Sequence, residues 1–187
     1  MSNIKVVGLG GSLKPESTSE KALRIALRAA AEQGADTQLV TLVSLDLPLF
    51  APDQELPGTA RRFAEQVAEC DAMLWASPVY HGGMSGSFKN AIDFLELLAK
   101  HEPPYLTNKV VGLIATAGGV QSLQAINSME FCVRALRGFA HPLTAPVDRA
   151  WQLFAKDGTL TDEKTLERLR AVGAGVVQAA RGLRQMG

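Results

Sequence analysis

Residues Ser77–Leu95 read SPVYHGGMSGSFKNAIDFL. Before them stands a short apolar run, Ala72-Met73-Leu74-Trp75-Ala76. After the turn, Phe88, Ile92, Leu95 and Leu98 recur at helical spacing. A continuous apolar run is what a parallel strand covered on both faces requires. The turn between strand and helix carries Pro78, Gly82, Gly83 and Gly86, with an aromatic pair, Tyr80 and His81, expected to be exposed. Glycine has no Cβ, so the backbone can approach a flat ligand closely. The N–H groups of such a turn, and of the next helix's first turn, are free to donate to it. A strand end followed by this kind of turn is where open α/β sheets place their ligands.

The same alternation runs in both directions. Ile4–Leu9 is expected as strand one, followed by a helix marked by Leu23, Ala26, Leu27 and Ala30 that stops near Gly34. Thr37–Val43 is expected as strand two, then a proline-bearing loop and a helix marked by Ala60, Phe63, Ala64 and Val67. Strand three is Ala72–Ala76, with a helix from about Ser85 to Ala99. Strand four is Lys109–Thr116, with a helix carrying Ile126, Met129, Val133 and Leu136. His141–Val147 is a weaker fifth strand. Asp157-Gly158 signals a hairpin turn, and Leu166, Leu169, Gly173, Val176 and Ala180 define the last helix. Strands alternating with helices give an α/β class with a parallel sheet. Five of them suit a flavodoxin-like three-layer sandwich of order 2-1-3-4-5. With no repeat or linker visible, residues 1–187 are expected to form one domain.

Composition narrows the function. Lys plus Arg equals Asp plus Glu at 19 each among 187 residues, so there is no electrostatic footprint for nucleic acid or an anionic membrane. A surface near neutrality gives little repulsion against self-association. Cys70 and Cys132 have no metal or disulfide spacing and read as reduced thiols of a cytoplasmic protein. No signal peptide is expected from MSNIKVVGLGG.

In a 2-1-3-4-5 sheet the loops after strands one, three and four share an edge. The first is Gly10-Gly11-Ser12-Leu13-Lys14-Pro15-Glu16-Ser17-Thr18-Ser19. Its hydroxyls, the Lys14 charge and the helix start that follows suit a phosphate. Ser17 also reads as an N-cap, with Glu20 completing a capping box. Gly8-Leu9-Gly10-Gly11-Ser12-Leu13 matches only two glycines of GxGxxG, and GxxxxGK[ST] is absent. A phosphate held by hydroxyls without Walker residues suits a monophosphate such as that of FMN.

Gly11–Ser17 (GSLKPES) together with SPVYHGGMSGSFKNAIDF resembles the NADPH-dependent FMN reductase family, flavodoxin-like flavoproteins that include quinone, azo-dye and chromate reductases. ATAGGVQ and Asp46-Leu47-Pro48-Leu49-Phe50 fit the same family. The resemblance implies that Ser12, Lys14, Ser17, Thr18 and Ser19 hold the FMN phosphate. Many relatives carry Arg at the Lys14 position, and Lys lacks the bidentate fork. It implies that Pro78, Val79, Tyr80, His81, Gly82 and Gly83 line the flavin ring, and that Gly118, Gly119 and Gln121 close its other edge. It implies a homodimer or homotetramer. It also implies hydride passing from NADPH or NADH through FMN to a small-molecule electron acceptor: a quinone, azo compound, free flavin or oxidised metal ion. One ring face used in turn implies ping-pong kinetics.

Individual residues remain open between readings. His81 is a general acid, a ring-edge donor or a solvated loop residue, and its backbone N–H is the group expected to act. Tyr80 stacks on flavin or nicotinamide, or packs on the next helix. Lys89, Asn90 and Asp93 are expected to satisfy loop carbonyls or touch another subunit. His101 and His141 lack partners at ligand spacing, so no metal is expected. Asn127 and Glu130 are candidate buried polar contacts. Trp151 and Phe154 read as core or interface. Lys14 and Arg149 are the candidates for the 2′-phosphate of NADPH. A flavodoxin-type electron carrier, a non-catalytic FMN-binding module and a flavin-free NAD(P) dehydrogenase are the alternative functions.

Overall fold

The computed structural model describes residues 3–186. The expectation of no leader falls partly on Met1 and Ser2, outside the described residues. The parallel strands are β1 (Lys5–Gly10), β2 (Asp36–Thr41), β3 (Ala72–Tyr80), β5 (Val110–Thr116), β6 (Phe139–Ala140) and β7 (Ala145–Val147). A short β4 (Gly83–Met84) folds back antiparallel on β3. The sheet order is β2-β1-β3-β5-β6, with β7 also pairing β5. This is the expected flavodoxin-like order.

Helices α1 (Thr18–Glu32) and α7 (Glu163–Met186) cover one face. Helices α3 (Gly58–Glu69), α4 (Gly86–Asp93) and α5 (Ser122–Ala135) cover the other. Two single-turn helices, α2 (Leu42–Leu45) and α6 (Ala150–Leu153), sit in the connections. Each face has its own apolar layer. Leu23, Leu74, Ile114 and Val176 lie in one, and Phe63, Trp75, Phe88 and Met129 in the other. Strand three is buried from Ala72 through Ser77, as its apolar run demands. Gly173 lets α7 lie directly on α1, because a Cβ there would collide with the backbone of Ala26.

Several expected boundaries move. Strand two stops at Thr41, where Thr41 and Ser44 form a capping box and turn Val43 into α2. Strand three does not end at Ala76 but continues to Tyr80. The helix after it is α-helical only to Asp93, then tightens into a 3-10 stretch, Phe94–Leu98. Strand four starts one residue late, at Val110. The expected fifth strand, His141–Val147, is broken, and only Ala145–Val147 pairs in it. His141 Nδ1 accepts from Leu143 N–H at 3.2 Å, closing a local turn that interrupts the ladder. The hairpin at Asp157-Gly158 is present, with Phe154 bridging Leu160.

At the N-terminal edge, the buried Lys109 Nζ donates to Ala68 O (2.8 Å) and Cys70 O (2.7 Å), satisfying carbonyls at the end of α3. Burial pushes the adjacent Cys70 thiol up to about 12. Both cysteines are free thiols.

Candidate active site at the C-terminal edge of the sheet

The strand register aligns the C-terminal ends. Gly10 pairs Ala76, Pro78 pairs Thr116, and Thr116 pairs Val147. The loops that leave these ends face one crevice. Two bonds tie the first of them to the other strands: Gly11 N–H donates to Ala76 O (3.1 Å), and Thr18 Oγ1 donates to Thr116 Oγ1 (3.3 Å).

In the first loop, Ser17 is the N-cap of α1, its Oγ accepting from Glu20 N–H at 3.2 Å. The capping box is only half formed, because the Glu20 carboxylate turns away to Arg24 at 2.7 Å. Ser12 Oγ accepts from Lys14 N–H (3.0 Å) and donates to Lys14 O (3.3 Å), and the Ser17 and Ser19 hydroxyls bond each other at 3.1 Å. The hydroxyls therefore brace the loop. The free donors are main-chain ones: among the described residues, the N–H groups of Ser12, Ser17, Thr18 and Ser19 take no protein acceptor. Lys14 is exposed and forms no ion pair with any described residue.

The second wall is a hairpin rather than a loose glycine turn. Tyr80 pairs Gly83 and Val79 pairs Met84, leaving His81 and Gly82 as a two-residue loop. Both have positive φ, 49° and 86°, the geometry of a type I′ turn. His tolerates the left-handed region better than most side chains. Ser128 Oγ on α5 accepts from Met84 N–H (3.2 Å), and Ser77 Oγ accepts from Ser85 N–H (3.0 Å). Ser85 in turn caps α4 through Phe88 N–H at 3.2 Å. Tyr80 is 57% exposed. His81 is exposed too, and its ring bonds no described residue.

The third wall is Ala117–Gln121, stitched to the chain after β7. Arg149 N–H donates to Gly119 O (2.8 Å), Ala150 N–H to Ala117 O (2.9 Å) and Trp151 Nε1 to Gly118 O (3.3 Å). Asp148 Oδ1 accepts from both Ser122 N–H (3.1 Å) and Ser122 Oγ (2.6 Å). A Cβ on Gly118 or Gly119 would meet nothing within 4 Å, so these glycines border open space. Gln121 is exposed and gives α5 no side-chain cap.

Beside the crevice, Asn90 clamps the chain after β2, its Nδ2 donating to Pro48 O (2.8 Å) and its Oδ1 accepting from Phe50 N–H (2.9 Å). Lys89 pairs with Asp93 within α4 at 2.6 Å. Two expectations are corrected: Asn127 is exposed and Glu130 pairs with Arg134, so neither is a buried polar contact. Trp151 is 67% exposed rather than core. Among the described residues no cluster suited to a metal is present. Ser77, Ser85, Thr116, Ser128 and Asp148 were not singled out by the sequence. Only Ser85, directly before a helical stretch, carried a readable capping signal.

The chain matches the model of the NADPH-dependent FMN reductase family over residues 4–151. An NAD(P)H:quinone oxidoreductase of Solanum tuberosum is 30% identical over 90% of this chain and 89% of its own. An NAD(P)H-dependent FMN reductase of Pseudomonas aeruginosa is 31% identical over 90% of each. In fold, the chain is similar to a flavoenzyme NAD(P)H:(acceptor) oxidoreductase from Paracoccus denitrificans. The TM-score is 0.76 at 22% identity, over 96% of this chain and 98% of that one. The chain belongs to the NADPH-dependent FMN reductase family. It is accordingly an oxidoreductase that uses FMN and NAD(P)H.

The crevice fits such a flavin. Unbonded N–H groups at Ser17–Ser19 suit a phosphate at a helix start. Those of Gly118–Gln121, likewise without a protein acceptor, suit the carbonyl and nitrogen acceptors of a heteroaromatic ring. The open space over Gly118 and Gly119 leaves room for the ring's approach.

Proposed function

We propose that this chain, as one FMN-binding domain over residues 1–187, is a cytoplasmic NAD(P)H oxidoreductase. It passes reducing equivalents to a small-molecule acceptor (a quinone, azo compound, free flavin or metal ion) by a ping-pong mechanism. The observation that carries this is the meeting of three donor-bearing loops at one sheet edge. Bound FMN supplies the two-electron chemistry between nucleotide and acceptor.

The chain's own residues bind and orient. Main-chain N–H groups of Ser17, Thr18 and Ser19 and the Lys14 ammonium hold the phosphate, while Ser12 and the Ser17–Ser19 hydroxyl pair keep the loop in shape. Pro78, Val79, Tyr80, His81, Gly82 and Gly83 form one ring wall. The N–H groups of His81 and Gly82 stand ready for negative charge on the ring's polar edge. Gly118, Gly119 and Gln121 form the opposite wall. No side chain is required as a proton donor in this reading, and His81 serves only through its backbone N–H. The exposed Tyr80 ring offers a flat apolar surface above the crevice for whichever co-substrate is present.

One crevice serving both co-substrates in turn supports the ping-pong order. The apolar rim formed by Leu13, Tyr80 and Val120, each more than half exposed, supports a homodimer or homotetramer. Two unbridged thiols support a reducing compartment. No helix among the described residues is long and apolar enough to cross a membrane.

Anaerobic titration of the FMN-replete protein with NADPH and then NADH tests the proposal. Bleaching of the visible flavin band is expected. Flavin that stays yellow with both nucleotides would overturn it.

A further inference from the structure

We propose that the outer edge of β2 is an interface with a second copy of this chain, paired antiparallel about a two-fold axis at Gln38. The two edges of the sheet differ. At one, β6 and β7 are two and three residues long, and β7 carries Pro146. Short strands and proline blunt an edge against pairing. At the other, β2 runs for six residues, DTQLVT, with no Lys, Arg, Pro or Gly. Asp36 N–H donates to Ile4 O (2.8 Å), and the register with β1 then turns the main-chain groups of Asp36, Gln38 and Val40 inward. Thr37 and Leu39 turn their N–H and C=O outward. None of these four groups has a partner among the described residues.

The residues flanking this pair are closed. Ala35 N–H donates to Ala30 O (3.2 Å). Thr41 N–H donates to Ser44 Oγ (3.2 Å), which donates back to Thr41 O (2.8 Å). These closures select the register. In an antiparallel pair, residues that exchange both bonds lie directly opposite each other. A two-fold at Thr37 would set Leu39 against the partner's Ala35, and one at Leu39 would set Thr37 against the partner's Thr41. A two-fold at Gln38 sets Thr37 against the partner's Leu39 and Leu39 against the partner's Thr37, so every open group is bonded. An edge complementary to itself in this way is an isologous interface.

The charges agree with this axis. The side chains of Asp36, Gln38 and Val40 share the face that α3 covers. The axis brings Asp36 of each copy opposite the partner's Val40. Val40 and Arg62 of α3 line one cleft beside the strand. Arg62 is exposed and pairs with no described carboxylate, and Asp36 accepts only from Asn3 Nδ2 (3.1 Å) among the described side chains. Arg62 and the partner's Asp36 therefore meet, once at each end of the pair. That complementarity fits a second copy rather than an unrelated strand. Six strand residues span about 20 Å, a small interface, so the association is reversible. It stands apart from the apolar rim of the crevice, and use of both faces builds an assembly larger than a dimer.

Sedimentation of the FMN-replete protein over a range of concentrations, paired with amide hydrogen exchange, tests the interface. Mass should rise with concentration, and exchange at Thr37 and Leu39 should slow about tenfold alongside it. Gln38→Lys sets two ammonium groups directly opposite each other and should abolish both changes. Arg62→Asp and Asp36→Arg should each raise the dissociation constant about tenfold, and the two together should restore it. All three residues are exposed, and recovery in the double variant excludes a fold defect. A chain that is monomeric at every concentration would overturn the proposal. So would association in which Thr37 and Leu39 still exchange freely, which assigns it to another face such as the rim. A double variant no better than its singles would also overturn it. None of these readouts depends on flavin reduction, so the interface and the reductase reading stand or fall separately.

Discussion

Asp148 caps a helix that starts 26 residues before it: one carboxylate oxygen holds both the N–H and the hydroxyl of Ser122. The bond joins the end of β7 to the start of α5 and closes the third wall of the crevice. Losing an N-cap costs about 0.5–2 kcal/mol, and bonds to a charged group sit at the upper end of the hydrogen-bond range. Asp148→Ala is expected to lower stability by about 2 kcal/mol in urea denaturation and to weaken FMN binding severalfold in a flavin titration. Asp148→Asn should lose less of both.

Lys14→Ala is expected to weaken FMN about tenfold, as loss of one charge-assisted phosphate contact implies. Riboflavin, which lacks the phosphate, should bind the variant and the original protein alike. Raised salt should narrow the FMN difference, since Lys14 is exposed. Fluorescence titration of both ligands at two ionic strengths measures this.

His81→Gly separates the imidazole from the backbone. Glycine accepts the φ of 49° freely, so the hairpin should be unchanged or up to about 1 kcal/mol more stable. With only the main-chain N–H at work, kcat should stay within about fivefold, since general acid–base duty is worth roughly a hundredfold or more. A hundredfold fall in kcat with the fold intact would assign the ring a proton-transfer role.

Gly173→Ala and Gly182→Ala lie on the same helix with opposite expectations. A Cβ at residue 173 would collide with the Ala26 carbonyl, whereas one at 182 meets nothing within 4 Å. The first should cost about 3 kcal/mol by forcing α7 off α1. The second should stabilise by about 0.5–1 kcal/mol through helix propensity. Thermal melts of the pair read the difference directly.

Burial of the Cys70 thiol sets an alkaline limit. Its folded value near 12 lies above the ordinary 9.0, so above pH 9 the unfolded chain releases a proton that the folded chain keeps. Stability contributed by the neutral thiol is complete below pH 9 and is lost as pH rises toward 12, with a slope approaching 1.4 kcal/mol per unit. Cys70→Ala should flatten that part of a stability–pH curve measured by denaturant unfolding.

The fold was readable because its signals are local. The unbroken apolar run at Ala72–Ala76 marks a strand buried on both faces, and glycine-bearing turns follow both it and the strand expected at Lys109–Thr116. What escaped detection depends on partners far away in sequence. The Ser77–Tyr80 extension is polar or exposed at its tip and is fixed by β4 and by Ser128 of α5, which no local pattern encodes. The break in the fifth strand comes from one imidazole bonding a nearby main-chain N–H. Within the crevice the residue types were visible, but their division of labour was not. In sequence the serines suit donation to a ligand, whereas in the fold their hydroxyls mostly brace the loop and leave the main chain to donate.

The close seat of α7 on α1 bears on how the chain is made. The α3–α4–α5 face is assembled from residues that end near position 140, so it can close while synthesis continues. The opposite face cannot. Until residues 163–186 leave the ribosome, Leu23, Leu74 and Ile114 have α1 beside them but lack α7, and the nascent protein carries a sheet sealed on one side and half covered on the other. Of the described helices, α7 is translated after the others and completes this face, and a ribosome that pauses before it leaves the chain open to chaperone capture.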